Sequence, residues 1–156
     1  MRKFVFAAAG AVAFVASPAV AQTASTDFDV LLTVENSCTV EADDLNFGNS
    51  TVVGTSAVTG TSEVRVTCTP GADYSIALGN GDNYSGGRNM SDGTNSVPYG
   101  LFQNSSHATA WNSSSTVDNT GTGAEQSFAV YGQIPASASP VPAASYTDTV
   151  AVTVTY

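Results

Sequence analysis

The segment Phe28-Asp29-Val30-Leu31-Leu32-Thr33-Val34 alternates in a way that decides how the rest of the chain is interpreted. In an extended strand, even-numbered residues project from one face and odd-numbered residues from the other. The apolar, even-numbered face consists of Phe28, Val30, Leu32 and Val34. A second strand of this kind closes the sequence with Val150, Val152, Val154 and Tyr156. The pattern predicts two apolar strands, one early and one at the end.

Residues 1–21 are typical of a secretory signal peptide. Arg2 and Lys3 form a basic start, residues 4–16 are an apolar run too short to span a bilayer, and Ala19-Val20-Ala21 has the form of a cleavage site. Removing these 21 residues from 156 leaves 135, which is enough for one domain and too few for two. We therefore expect a single secreted domain.

The mature chain would be strongly acidic. Only Arg65 and Arg88 would remain against 13 acidic residues, a net charge of −11. Such a surface repels nucleic acid and anionic lipid, and it lacks the cation clusters that phosphate binding requires. Charged residues make up only 11% of the chain, and the other polar residues are mostly Thr, Ser, Asn and Gly. This composition favours a folded extracellular β-protein over a disordered acidic tail.

The two cysteines, Cys38 and Cys68, allow one internal pairing in a chain that leaves the cytoplasm. A disulfide is therefore predicted, and closing a loop of about 30 residues would be worth roughly 3–4 kcal/mol by the chain-entropy estimate. The alternative, a metal site or a reactive thiol, needs further ligands, and the single histidine, His107, is distant in sequence. We expect no metal and no cofactor.

Period-two patterns continue through the mature chain, without helical periodicity. Val64, Val66 and Cys68 share one face of a predicted strand, and residues 74–78 alternate in the next one. The turn at residues 69–72 between them predicts a hairpin.

Other segments are interpreted as irregular. Residues 52–62 are assigned to an irregular edge, residues 79–95 to a loop and residues 112–123 to a flexible stretch, because Gly, Ser, Thr and Asn dominate them. The final strand is expected from about Tyr146 onward. About seven short strands separated by turns predict an antiparallel sandwich.

Short motifs occur in a recognisable order along the mature chain. They are Cys38-Thr39-Val40, Leu45-Asn46-Phe47-Gly48, Val66-Thr67-Cys68-Thr69, Tyr99-Gly100-Leu101-Phe102 with Trp111, Val130-Tyr131-Gly132 and the ending Tyr146 to Tyr156. With these motifs, its signal peptide and residues 28–34, the chain resembles the spore coat protein U family, which includes the pilins of archaic chaperone-usher pili. One departure is Ala143-Ala144-Ser145, where many relatives place a glycine.

The resemblance implies an all-β fold, an incomplete immunoglobulin-like antiparallel β-sandwich that is completed by a donor strand. Residues 22–37 would be the N-terminal donor-strand extension, and residues 38–156 the pilin domain. The donor residues would be Phe28, Val30, Leu32 and Val34. The acceptor groove would be bordered by Val150, Val152, Val154 and Tyr156.

The resemblance also implies partners and a location. A periplasmic chaperone would fill the groove first, and an outer-membrane usher would secrete the subunit. The N-terminal strand of the next identical or related pilin would then replace the chaperone, forming a pilus at the cell surface that supports adhesion or biofilm formation. Such a subunit is not an enzyme and has no catalytic residue, cofactor or small-molecule substrate.

The properties of unpaired strand edges also favour assembly by strand addition. An unpaired apolar strand edge is an aggregation hazard, and adding a strand supplies both backbone hydrogen bonds and side-chain burial. Donor and acceptor are different surfaces of one chain, so their contact is heterologous and yields a filament. The alternative for residues 28–34 is an ordinary first strand that pairs within its own domain, or fills its own groove.

Other functions remain open at this point. A spore-coat or other secreted surface protein is the main alternative, and a spore-forming source would favour it. A secreted hydrolase needs a positioned nucleophile and base, and His107 has no evident companion. Asp82 and Asp92 lack the spacing of a calcium loop, which favours turn chemistry. Trp111 is assigned to packing rather than to a carbohydrate site.

Overall fold

The computed structural model describes residues 20–50 and 53–156. The chain divides between Thr33 and Val34 into two units. In the first unit, residues 20–33 form neither helix nor strand. The predicted signal peptide lies, apart from its last two residues, outside the described residues, so it stays a prediction.

The described residues of the second unit form eight strands in two antiparallel sheets. They are β1 (Cys38–Ala42), β2 (Val58–Cys68), β3 (Asp73–Leu78), β4 (Arg88–Ser91), β5 (Ser96–Phe102), β6 (Val117–Thr120), β7 (Glu125–Ile134) and β8 (Val152–Thr155). One sheet has the order β1-β2-β7-β5-β4, and the other has the order β6-β3-β8. In the part of the chain that the structure describes, no helix is long and apolar enough to cross a membrane. The predicted all-β antiparallel sandwich is confirmed.

The core lies between the inward faces of the two sheets. Val64 and Val66 of β2 and Ile76 of β3 are buried at alternating positions, as the period-two pattern predicts. Trp111 is buried with them, and its indole Nε1 donates to the carbonyl of Ile76 at 2.9 Å. The only polar atom of this side chain is thus satisfied inside the core, and its assignment to packing is confirmed.

The predicted hairpin of β2 and β3 is wrong. β2 pairs with β1 and β7, whereas β3 pairs with β6 and β8 in the other sheet. The turn at residues 69–72 carries the chain across the sandwich, where Gly71 N donates to Gly121 O at 2.8 Å and Gly121 N donates to Ala72 O at 2.7 Å. Two strands that face each other across a core alternate in the same way as two strands of one sheet, so the pattern could not separate the two arrangements.

Three segments that were predicted to be irregular contain strands. Residues 58–62 belong to β2 and pair with β7, residues 88–91 form β4 against β5, and residues 117–120 form β6 against β3. Each segment contains Gly, Asn or Asp, which are depleted from strands, so the pairing is supplied by the neighbouring strand. The last regular strand is shorter than predicted and begins at Val152.

The predicted disulfide between Cys38 and Cys68 is confirmed, with an S–S distance of 2.00 Å. The two residues lie directly opposite each other in β1 and β2. β1 is a short edge strand with β2 as its neighbour. The disulfide therefore attaches the edge of the five-stranded sheet covalently to a long inner strand.

Candidate functional site

Strand β8 has an open edge. It pairs with β3 on one side, and no described strand pairs with its other side. Gly79 N donates to Ala151 O at 2.8 Å, so the alternation of an antiparallel ladder turns the backbone groups of the odd-numbered residues toward β3. The even-numbered residues turn theirs to the open side. These residues are Val150, Val152 and Val154, whose side chains pack against the core, so they offer backbone groups and apolar surface to an added strand together.

Strand β1, at one end of the five-stranded sheet, also has an open edge. Asp43 N donates to Glu63 O at 2.9 Å, which turns odd-numbered residues toward β2 and even-numbered residues outward. Val40 lies opposite Val66, which is fully buried on the inner face. Val40 is nevertheless 39% exposed, and Ala42 on the same face is exposed as well. Inner-face residues of this kind show that the sandwich is open beside β1.

Two clefts follow the inner face of the five-stranded sheet, over a floor from β2, β5 and β7. The first cleft measures about 380 Å³, and its walls come from residues 42–45 and 148–152. The second measures about 800 Å³, and its walls come from residues 46–50 and 141–146. The walls continue from one cleft to the next, and Met90 lines both, so the clefts are successive parts of one groove. We name it the edge groove. Its first wall consists of residues 42–50 and its second wall of residues 141–152.

A pair of glycines in the floor lets the first wall approach closely. Gly60 of β2 and Gly132 of β7 lie opposite each other. A Cβ atom at Gly60 would lie 2.9 Å from the carbonyl oxygen of Asn46, and one at Gly132 would lie 2.8 Å from both Cδ atoms of Leu45. The first wall can therefore pack close to the sheet at this point because glycine has no side chain there.

The second wall is held by polar contacts to Asp148. Its Oδ1 accepts from the backbone N–H and the side-chain amide of Asn83, at 3.0 and 3.1 Å, and its Oδ2 accepts from the Tyr99 hydroxyl at 2.6 Å. Burial, then the hydrogen bond and charge of Asp148, raises the pKa of Tyr99 well above its ordinary value. Arg88, opposite Tyr99 in β4, donates from Nε to Gly79 O at 2.8 Å. The Tyr99 contact ties the wall to β5 of the five-stranded sheet, and the Arg88 contact ties that sheet to the residue after β3.

The predicted donor residues are exposed and lie in no strand. Phe28, Val30, Leu32 and Val34 are 71 to 87% exposed. Leu31, on the opposite face of the predicted strand, is 88% exposed. The two faces of the segment therefore do not differ in exposure, and the donor role stays a prediction.

Only two of the four predicted acceptor residues line the edge groove. Val150 and Val152 line the first cleft. Val154 packs against the core, and Tyr156 is 57% exposed, but neither lines the edge groove. Their role as acceptors also stays a prediction.

Sequence reasoning missed most of the two walls. The edge groove extends away from Tyr156, along residues 141–149 on one side and residues 42–50 on the other. The available signal was the alternation of Leu45 and Phe47 around a polar residue, which marks an extended segment with one apolar face.

The other candidate groups serve local structure. The ring of His107 lies edge-on against Phe102, with centroids 5.2 Å apart. Asp92 accepts from the Asn95 side-chain amide and from the backbone N–H groups of Asn95 and Thr94, and these bonds lower its pKa to about 2. No three His, Cys, Asp or Glu side chains among the described residues group as metal ligands.

Comparison with solved structures identifies a similar fold. The chain is similar to a chain of the CsuC–CsuE chaperone–tip adhesion subunit pre-assembly complex from the archaic chaperone-usher Csu pili of Acinetobacter baumannii. The sequence identity is 28% and the TM-score is 0.56, over 80% of this chain and 40% of that one. The likeness confirms the predicted immunoglobulin-like sandwich.

Comparison of sequences adds the family. No curated protein matches the chain. The model described as the Spore Coat Protein U domain, however, matches residues 24–153, a range that includes residues 28–34 and both walls of the edge groove. With that match over residues 24–153 of 156, the chain belongs to the Spore Coat Protein U domain family, as the order of its motifs predicted.

Proposed function

We propose that this chain is a structural subunit of a secreted surface pilus and that it polymerises by donor-strand exchange. Residues 28–34 of one copy would add to the open side of β8 in the next copy, with their even-numbered side chains in the edge groove. The observation that carries the proposal is the pair of open edges on β1 and β8, which leaves inner-face side chains such as Val40 exposed.

The proposed donor supplies substantial apolar surface. Each of its four apolar side chains is at least 71% exposed in the single chain. Fully burying one such side chain is worth about 1.5–3 kcal/mol, so four contribute roughly 6–12 kcal/mol before the cost of ordering the strand. Backbone hydrogen bonds to Val150, Val152 and Val154 would add to this, because their N–H and C=O groups face the open side.

The geometry favours a filament over a closed dimer. Donor and groove are different parts of the chain, so each junction leaves one unused donor and one unused groove at the ends. Growth can therefore continue with identical or related subunits.

We infer a periplasmic chaperone and an outer-membrane usher as further partners. An open apolar edge needs cover before assembly, and the similar solved structure is a complex of a chaperone with a tip adhesion subunit. The predicted signal peptide supports export through the periplasm to the cell surface. Adhesion or biofilm formation would then be a property of the fibre.

A structural role needs no catalytic group, cofactor or small-molecule substrate, and we infer that the chain is not an enzyme. The alternative is a spore-coat or other secreted surface protein, which the description of the family favours. A spore-forming source without a neighbouring chaperone or usher gene would support that alternative.

A pair of substitutions in the donor tests the proposal. Leu32→Asp would put an unpaired carboxylate into the edge groove, where its desolvation adds to the lost burial. Leu31→Asp makes the same change on the opposite face of the strand. Leu31 and Leu32 are 88 and 87% exposed, so neither change should alter the free energy of unfolding of the single chain. A difference between the variants therefore reports on assembly.

We expect Leu32→Asp to abolish polymers that resist mild heating in detergent, and Leu31→Asp to retain them. Gel electrophoresis and electron microscopy of the exported protein measure both outcomes, and urea unfolding checks that the fold is intact. Equal assembly of the two variants, or greater damage from Leu31→Asp, would overturn the donor assignment.

A further inference from the structure

We propose that Asp148 is a positioning residue, which holds the second wall of the edge groove in the conformation that an incoming strand requires, and that the Tyr99 hydroxyl is its anchor inside the groove. The inference rests on the proposed function and deepens it, since it names the residues that prepare the groove for capture.

The chain crosses from one sheet to the other at Asp148. Just before it, Thr147 exchanges backbone hydrogen bonds with Ser91 at the end of β4, at 2.9 and 3.1 Å. Just after it, the carbonyl of Thr149 accepts from the N–H of Asp82 at 3.1 Å, on the side of the three-stranded sheet. A strand that changes sheets within two residues has no continuous ladder at the crossing, so side-chain contacts must set its path there.

Asp148 makes those contacts in three directions. Its two oxygens accept three hydrogen bonds, from Asn83 and from the Tyr99 hydroxyl. On a third side, the backbone of Gly81 lies so close to the carboxylate that a Cβ atom at this residue would collide with Oδ2. The Gly81 backbone therefore also restricts the position of the carboxylate. Hydrogen bonds to an ionised carboxylate are stronger than those between neutral groups. Tyr99 and Asp148 both line the first cleft, which places this anchor inside the groove.

The anchored residue stands directly before the open edge. Val150 and Val152 follow Asp148 by two and four residues and turn their backbone groups to the open side. With Asp148 fixed, that edge is aligned before a strand arrives, which reduces the ordering cost of capture. If the aligned conformation fell to about a tenth of the population, capture would slow by about tenfold.

Two matched Tyr→Phe substitutions separate this role from general stability. Tyr99→Phe removes the hydroxyl that donates to Asp148 and keeps the ring. Tyr74→Phe removes a hydroxyl that donates to Gln126 Oε1 at 3.1 Å, and Tyr74 does not line the edge groove. The probe is a fluorescent peptide with the sequence of residues 24–36, added to the full exported chain. Stopped-flow fluorescence gives the association rate, and thermal unfolding gives the midpoint.

We expect Tyr99→Phe to slow peptide association by about tenfold and to speed hydrogen exchange of the Thr153 amide, which faces Ala77 of β3. Tyr74→Phe should lower the unfolding midpoint to a similar degree and leave both readouts unchanged. An unchanged association rate in Tyr99→Phe, or equal slowing in Tyr74→Phe, would overturn the positioning role. A wild-type chain that does not bind the peptide would overturn the proposed function, and the inference with it.

Discussion

Because the first wall packs closely against Gly60 and Gly132, substitution of either glycine should destabilise the domain. A Cβ atom at Gly60 would lie 2.9 Å from the carbonyl oxygen of Asn46, whereas ordinary contacts begin at 3.4 Å. The Gly60→Ala variant must therefore lift the backbone of this wall by about 0.5 Å, and overpacking of this kind costs about 1–3 kcal/mol. We expect the free energy of unfolding to fall by that amount.

Gly132→Ala places its added Cβ atom against side-chain atoms of the same wall rather than against its backbone. Its Cβ would lie 2.8 Å from both Cδ atoms of Leu45 and 2.9 Å from Cζ of Phe47, which are the ends of side chains. Leu45→Ala removes two of these three contacts, so it should relieve much of the effect of Gly132→Ala. At Gly60 the nearest atom is the carbonyl oxygen of Asn46, and Leu45 Cδ2 follows at 3.1 Å, so Leu45→Ala should relieve less of the effect there. A double-mutant cycle should therefore give a coupling of about 1 kcal/mol for Leu45 with Gly132 and a clearly smaller one for Leu45 with Gly60.

The single tryptophan provides the assay. Trp111 is buried, so its fluorescence should follow urea unfolding of the domain. Gly87→Ala is the matched control, because nothing lies within 4 Å of its added Cβ atom, and its effect should stay within about 0.5 kcal/mol. Equal coupling in the two cycles, or a Gly60→Ala variant as stable as the control, would refute this account of the wall.

Two further predictions concern the disulfide and Asp92. Replacing Cys38 and Cys68 together by serine should lower the free energy of unfolding by roughly 3–4 kcal/mol, and two free thiols in the mass spectrum of the exported chain would contradict the disulfide. The pKa of Asp92 is lowered to about 2 from 3.8, so its contribution to stability is present above about pH 4 and lost as the pH falls toward about 2. The difference in unfolding free energy between the wild type and Asp92→Ala should therefore shrink over that range, and a constant difference would exclude the shift.

Local alternation was enough to predict the buried faces. Val64 and Val66 follow a period of two that depends on neighbouring residues alone, and the structure buries both. The disulfide was predictable for a similar reason, because Cys38 and Cys68 allow one internal pairing. Features that depend on adjacent residues, or on a single possible partner, could thus be read from the sequence.

Partners distant in sequence could not be predicted in this way. The choice between a hairpin and a sheet crossing after β2 depends on Gly121, which accepts and donates hydrogen bonds at the turn. The first groove wall depends on Gly60 and Gly132, which become neighbours only when β2 pairs with β7. The Asp148 contacts likewise combine residues from loops and from β5. Such contacts form only with the fold itself.

The open edge of β8 also explains the composition of the last segment. Edge strands are commonly protected by lysine, proline or inward charges, whereas the residues that face this open side are Val150, Val152 and Val154. Thr153 and Thr155 alternate with them, are exposed, and turn their backbone groups toward β3. The segment is therefore polar toward solvent and apolar toward the core, with nothing that blocks pairing. Its protection must come from a partner strand, so the capacity to assemble and the hazard of aggregation have the same physical origin.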